Sequence, residues 1–519
     1  MEMMTKQVEM KRMARNVMHQ FVLDEDYNVP DSKNDIEKIV LSEGVVKVNE
    51  AKLVENYLRV QGCVEFHILY VAEGFSCAYE CLAGKLPFAE MIHVDSANGE
   101  KLEIKDIHVE VQANLVHSRK VRMKAMVEIE LESEQQICEE IPLDFDCNCQ
   151  IYKKQMPLEL LKLQVSKRDT YRIKEEITLP GTKESIGRML WSDVVSRKMD
   201  TRLMVDELQI EGELLVFCFY ESPDEKIDWV EQSIQYQGRI ECFDVDDTMY
   251  HHLQANLEDV HVEVRADEDG EMRLIGIEGT LQICVAVYEE EKMEVLEDLY
   301  SLEKNCVLDK KEIAYEQLIL QNHSKCKIME RLMVPELNKE VLQICHSSGA
   351  IHVDRMEKCR DGVLVEGVLQ ICFLYVKTDD RTPFDTWQGV VPFSHFVECG
   401  ETNTDFQYHI STILEQLSIS LQGGDEIEVK AVISFRGFFK RIEKKEFIQS
   451  VQMEPLVLEE IEKRPSIVGY TVKADDDLWS LAKRYSTSVD AICEVNETSE
   501  EKLQVGDRLL IFKENMSIL

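Results

Sequence analysis

The chain has 519 residues and carries 59 Lys and Arg against 99 Asp and Glu, a formal charge of −40. That length favours three or four domains, each large enough to bury a core, and that charge repels nucleic acid and anionic membranes at long range, which leaves basic protein surfaces as the natural partners. The longest apolar run, Leu214–Tyr220, is far short of the ~20 residues that cross a bilayer, and the first 25 residues contain no signal-peptide h-region, so the expectation is a cytosolic protein with no transmembrane segment.

Residues 1–27 interleave Lys6, Lys11, Arg12 and Arg15 with Met10, Met13, Val17 and Phe21 at helical spacing. This predicts an N-terminal helical segment laid by its Met face on the first domain; a basic amphipathic helix on a membrane surface is the other reading.

From there the chain repeats itself. A proline is followed 32 residues later by a glycine and eight residues after that by a tyrosine, three times: Pro30/Gly62/Tyr70, Pro180/Gly212/Tyr220 and Pro335/Gly367/Tyr375. A period of about 150 is an array of domains, far longer than a solenoid repeat. Aligned on the prolines, the apolar positions coincide, with Ile36, Ile186 and Val341 six residues on and Ile39, Met189 and Ile344 nine on. Each copy then reaches a strand of period-2 alternation, such as Val60, Gly62, Val64, Phe66, Ile68 and Tyr70 on one face. The other face mixes polar and apolar residues, as expected of a strand buried on one side and partly covered on the other. The glycine permits a bulge or the close approach of a crossing aromatic ring, and the proline, which lacks an N–H, belongs at a strand start or edge.

A second half follows in each copy: alternating strands at Ile107/Val109/Val111, Val260/Val262/Val264 and Leu417/Ile419/Leu421, a turn, and closing strands within 121–131, 274–288 and 427–439. Many short strands separated by turns predict a mainly β (α+β) chain of three antiparallel, sandwich-like domains at 28–150, 171–300 and 328–455. The charged stretches near 150–170 and 300–330, with Lys153, Lys154, Lys310 and Lys311, read as linkers with some helix.

The Pro/Lys openings (Pro30/Lys33, Pro180/Lys183, Pro335/Lys339), the apolar pair after them and the Gly-x-apolar-Tyr strand resemble the SPOCS domain of proteins that build the bacterial endospore coat. The resemblance covers roughly residues 28 to 455 and implies partners among coat morphogenetic proteins, in particular the basement-layer ATPase on the forespore outer membrane. It also implies a protein made in the mother-cell cytoplasm and recruited to the forespore surface.

After Pro465 a compact unit begins. Tyr470 and Val472 form a strand, and Asp475, Asp476 and Asp477 lead as N-cap and first-turn anions into a helix containing Leu478, Trp479, Leu481, Ala482 and Tyr485. Ser488 caps a second helix with Ile492 and Val495, and Gly506-Asp507 turns into a last strand through Leu509 and Ile511. This βααβ pattern over 466–513 resembles the LysM domain, whose members bind N-acetylglucosamine glycans such as peptidoglycan between the loop before the first helix and the loop after the second. The resemblance places that groove at Asp475–Leu478, with Trp479, and at Asn496 and Glu497. Where the family has Gly-Asp-Thr, this chain has three aspartates, which offer acceptors only and repel one another. A basic protein surface suits such a mouth better than a neutral sugar, while Tyr470, Val472, Leu481, Ile492, Gly506 and Ile511 read as structure.

Other motifs reduce to architecture. Gly423-Gly424-Asp425-Glu426-Ile427 looks like a diguanylate cyclase signature but falls in register with the turn Asp267–Gly270, and turn chemistry accounts for it. Gly181-Thr182-Lys183 to Gly187-Arg188 imitates a phosphate loop at the wrong spacing. His251, His252 and His261 do not make a ligand pattern, and of the 16 cysteines the closest pairs, Cys77/Cys81 and Cys147/Cys149, lack partners at zinc spacing. The sequence therefore predicts no metal, no cofactor and no enzyme, but a scaffold whose terminal lobe docks a partner, with peptidoglycan binding as the alternative.

Overall fold

A computed structural model of the chain describes residues 2–74, 78–95, 100–337, 341–400, 406–423, 425–456, 465–499 and 503–513; Cys77, Lys339 and Gly424 lie outside the described residues. The alternation of the tyrosine strands fixes the architecture. Val60, Val64, Phe66, Ile68 and Tyr70 are buried, as are their counterparts Ile210 to Tyr220 and Val365 to Tyr375 on the same face, so each strand lays one side on a core.

Among the described residues six strands make each copy. The first comprises β1 (Glu2–Asn28), β2 (Ile36–Val54), β3 (Tyr57–Ala72), β4 (Tyr79–His93), β5 (Glu100–His117) and β6 (Lys120–Asp146). The second runs through β7 (Ile151–Thr178), β8 (Arg188–Met204), β9 (Glu207–Glu221), β10 (Ile227–Glu241), β11 (Tyr250–Ala266) and β12 (Met272–Ser301). The third runs through β13 (Lys304–Met333), β14 (Val341–Cys359), β15 (Gly362–Lys377), β16 (Phe384–Glu398), β17 (Phe406–Gly423) and β18 (Glu426–Pro455). In every copy strands two, three and four form an antiparallel meander, while strands one, six and five form a second three-stranded sheet in that order. The inner faces of the two sheets enclose one apolar cluster per copy. Each repeat is a small β-sandwich.

The repeat's signature residues are explained by contacts inside this sandwich. Gly62 pairs with Phe88, Gly212 with Tyr236 and Gly367 with Phe393, so an aromatic ring on the fourth strand lies across each glycine. A Cβ on Gly62 would run into the Lys47 carbonyl and come within 2.9 Å of the Phe88 ring; on Gly212 it would meet the Tyr236 phenol, and on Gly367 the His352 carbonyl with Phe393 at 3.0 Å. The tyrosine eight residues on latches the proline loop: the Tyr70 hydroxyl donates to Asn34 O (3.3 Å) and the Tyr220 hydroxyl to Glu184 O (3.3 Å). The prolines sit in the loop between the first two strands, where Lys33 N donates to Pro30 O and Lys183 N to Pro180 O, both at 2.9 Å. Two arginines clamp these loops. Arg119 donates to Lys33 O (2.6 Å) and Pro30 O (3.0 Å), and Arg273 does the same to Lys183 O (2.8 Å) and Pro180 O (2.9 Å).

Residues 1–27 were expected to be helical, and the structure corrects this: Glu2–Asn28 is a strand paired along its length with β6. A register shift between Met13 and Arg15 moves the buried set from even positions (Val8, Met10) to odd ones (Val17, Phe21, Leu23). Two period-2 runs joined by such a bulge imitate the 3.6 spacing of a helix. The expected linkers at 150–170 and 300–330 are likewise strand: β7 and β13 begin there and play the part of β1, so the repeats occupy 2–146, 151–301 and 304–455. In β7 the buried Met156, Leu158 and Leu160 alternate with exposed Lys153, Gln155 and Pro157, so its charges mark an outer face.

Those long strands also explain how the repeats hold together. Beyond its own sandwich each first and sixth strand continues as a two-stranded ribbon, and the three ribbons share a buried cluster of Val8, Met10 and Ile141 with Met156, Leu158, Leu160 and Val295 and with Ile313, Tyr315 and Phe447. At the meander sheets a second shared cluster joins Leu69, Val71 and Tyr79 to Trp191, Phe217 and Phe219 and to Cys345, Leu374 and Phe384. Fully burying such a side chain contributes about 1.5–3 kcal/mol. The repeats are therefore parts of one body, and the partly covered second face of each tyrosine strand is covered by its sister repeats.

Candidate functional site

The C-terminal module folds from β19 (Ile467–Thr471), α1 (Leu478–Tyr485), α2 (Val489–Asn496) and β20 (Arg508–Phe512), with β19 and β20 antiparallel. Val472, Leu478, Leu481, Ala482, Ile492, Leu509 and Ile511 form its core, with Tyr470 and Trp479 packed against them. Gly506 sits at φ +97°, a conformation that glycine adopts without strain.

The three aspartates have three different fates. Asp477 caps α1: its carboxylate accepts from Ser480 N (2.8 Å), and the Ser480 hydroxyl lies 3.4 Å from Asp477 N. Burial works against its charge, but the bonds from Ser480 and Lys154 prevail and hold its carboxyl below the ordinary range. Asp476 accepts from the Tyr470 hydroxyl (2.7 Å) and Lys473 N (2.9 Å), which lowers its pKa. Asp475 is exposed.

Trp479 faces the second repeat. Its indole N–H donates to Asp298 (2.9 Å), to which Lys483 also donates at 2.6 and 2.8 Å. Its ring meets that of Tyr300 edge-on at 4.9 Å, and Tyr300 stacks on Tyr152 at 5.0 Å. The Tyr300 hydroxyl donates to Thr487 O (2.9 Å), and Lys154 reaches Asp477 at 3.2 Å. Burial tends to raise the pKa of Asp298, but the bonds from Lys483 and Trp479 outweigh it and keep the group low. One rim of the expected groove is thus bolted to the ribbon end of β7 and β12.

The remaining expected residues divide between core and surface. Leu478 is fully buried. The Asn496 amide donates to Ile492 O and Leu510 O (both 2.8 Å) and accepts from Leu510 N (2.7 Å), so it ties α2 to β20. Glu497 ends α2 in the left-handed region and is exposed, and Ile467, Leu510 and Phe512 stand exposed on the outer face of the two strands. Sequence reasoning missed Lys154, Asp298, Tyr300 and Lys483.

It also missed a polar cluster where three repeats meet. His346, from β14, is buried, stacks on Phe217 with centroids 4.1 Å apart, and places its ring nitrogens 2.6 Å from Glu231 and 2.9 Å from Asp193. Burial opposes the imidazolium, but the two carboxylates win and raise its pKa to about 9. Glu43, from β2, lies beside them; desolvation and then the Asp193 charge push its pKa up to about 8.

The histidines noted in the sequence do not converge. His251 pairs with Thr201 (2.9 Å), the His252 ring lies 4.6 Å from that of His409, and His261 is exposed. Among the described residues no group of three or more His, Cys, Asp and Glu is arranged to hold a metal ion, and no helix is long and apolar enough to cross a membrane.

A family model for the LysM domain matches residues 470–512, and one described as SipL, SPOCS domain matches three times, at 35–124, 185–265 and 340–422. The SPOCS matches begin around the second strand of each copy and leave out β1, β7 and β13, so the whole of the shared ribbon core lies outside them. Neither a curated protein nor a solved structure matches the chain. Both domain types are of the binding and scaffold kind, and the LysM match points to glycan binding. On these matches the chain belongs among the SPOCS-domain proteins of sporulation and the spore coat, with three SPOCS domains followed by a LysM domain.

Proposed function

We propose that the chain is a non-enzymatic scaffold of endospore coat assembly. It is made in the mother-cell cytoplasm and held at the forespore surface by contacts with coat morphogenetic proteins, the basement-layer ATPase among them. The observation that carries this reading is the shared burial of all three repeats, because a body with three related but different outer faces gathers several modest contacts into one avid assembly. The LysM domain supplies one such contact. With Trp479 and Asp477 turned to the second repeat and Asn496 bonded within the domain, the residues left to a partner are Asp475 and Glu497 and the apolar strand face of Ile467, Leu510 and Phe512. A basic, partly apolar protein surface complements that set.

The LysM match itself favours a second reading, a tether to peptidoglycan. Full-length protein carrying Asp475→Lys or Phe512→Ser separates the two. Loss of coat-protein capture from sporulating cells, with no retention of the unaltered chain on purified peptidoglycan, supports docking. Retention on peptidoglycan that Asp475→Lys abolishes overturns it in favour of the tether.

A further inference from the structure

The connection from β6 to β7, between the first two repeats, is the short turn Cys147-Asn148-Cys149-Gln150. Its two sulfurs lie 3.0 Å apart, one thiol donating to the other, and both side chains are only partly buried. A disulfide bond is about 2.05 Å long, so closing this pair needs roughly 1 Å of movement. The pair has neighbours with a structural purpose. The Ser301 hydroxyl donates to Gln150 O (2.6 Å), and Gln150 donates to the Tyr152 hydroxyl (3.1 Å). Tyr152 and Tyr300 are the stacked rings that seat the LysM domain. A soft metal ion is the other ligand that two thiols attract, but no third ligand converges on them among the described residues.

We propose that Cys147 and Cys149 are a redox modification site, closed to a reversible disulfide by hydrogen peroxide, at the joint between the first two repeats beneath the LysM seat. Either sulfur of the pair can meet the oxidant as its thiolate. The attacking thiolate bonds to one peroxide oxygen: the S–O bond forms, the O–O bond breaks, and the departing hydroxide takes a proton to become water. The other sulfur of the pair then attacks that sulfenic acid; the S–S bond forms, the S–O bond breaks, and the second water leaves with the second thiol's proton. Two electrons pass from the sulfurs to one peroxide. A bond closed within so short a turn is strained, and strained or exposed disulfides are the easily reduced ones.

The test treats full-length protein with one equivalent of hydrogen peroxide, blocks the remaining thiols and maps them by mass spectrometry. The expected result is that the chain loses two hydrogens and that Cys147 and Cys149 together escape alkylation, while the exposed Cys138 stays reactive. In Cys149→Ser or Cys147→Ser the remaining sulfur has no partner, so its sulfenic acid is stranded and collects a dimedone adduct that the unaltered chain does not. Undiminished alkylation of both thiols after peroxide, oxidation falling first on Cys138, or no gain of adduct in either single variant would each overturn the proposal.

Discussion

Replacing His346 with Asn should remove a pH-dependent part of the chain's stability, and the structure gives both its size and its sign. The imidazole is buried against Phe217, with Asp193 and Glu231 of the second repeat on its nitrogens and Glu43 of the first repeat alongside, while Arg197 adds its positive charge near the same two carboxylates. Folded, His346 titrates at about 9 against an ordinary 6.5, a difference of about 3 kcal/mol in favour of the assembled state. Because the folded value is the higher, that stabilisation is complete below pH 6.5 and disappears as the pH rises through 9. Glu43 acts in the same direction. With its folded pKa near 8 against 4.5, the folded chain keeps a proton that the unfolded chain releases, so stability falls as the pH climbs from 4.5 to 8. Urea unfolding at pH 6 and pH 9 should thus show the unaltered chain losing more stability on going alkaline than His346→Asn, by an amount on the order of 3 kcal/mol. Equal losses in the two proteins would refute the reasoning, since carboxylates away from this cluster contribute alike to both.

The glycines under the aromatic rings give a contrast. Gly212→Ala should cost about 1–3 kcal/mol and be relieved by Tyr236→Leu, because the obstructing atoms belong to a side chain; at Gly62 and Gly367 the nearest atom is a backbone carbonyl, so trimming Phe88 or Phe393 should not restore the loss. Thermal melts of single and double variants decide it, and rescue at Gly62 would count against the account. Lys440 and Glu316 form a wholly buried pair at 2.9 Å, with the ammonium also donating to Lys11 O and lying 5.6 Å over the Tyr288 ring, so one side chain touches all three repeats. Burial outweighs the ammonium and still raises the Glu316 pKa. Lys440→Met should therefore cost about 3–5 kcal/mol by leaving that carboxyl unpaired, while the double change with Glu316→Leu should recover most of it; a single variant as stable as the parent in urea would dismiss the pair.

What the sequence disclosed, and what it concealed, follows from where each residue finds its partner. Gly62, Gly212 and Gly367 kept their spacing to the tyrosines because both answer to contacts inside one sandwich, so triplication and fold class were legible. The helix expected over 1–27 failed because a bulge shifts the buried face in mid-strand. The linkers failed because Met156, Leu158 and Leu160 are buried by other repeats, which no local window reveals. In the LysM domain Asp477 was legible as the helix cap. Lys154, which pairs with Asp477, and Asp298, which receives Trp479, were not, because they lie far upstream in the chain.

A signal for that seat exists nonetheless, in the differences between the copies. Each pairing of first and sixth strands has a second bulge, on the sixth strand near its end, at Leu143, Glu297 and Gln449. Counting three residues on gives Asp146, Tyr300 and Gln452, so only the second copy has the ring that receives Trp479. The loops divide the same way. The first two copies clamp their prolines with Arg119 and Arg273, while the third has Asp425 beside its loop, with Asp425 O accepting from Val334 N at 2.7 Å. Positions that agree in all three copies answer to the sandwich, which every copy must build. Positions where one copy departs are released from that demand, and the departure at Tyr300 is the one that seats the LysM domain. Exposed departures elsewhere on the three meander sheets are therefore the places where coat partners would tell one repeat from the next.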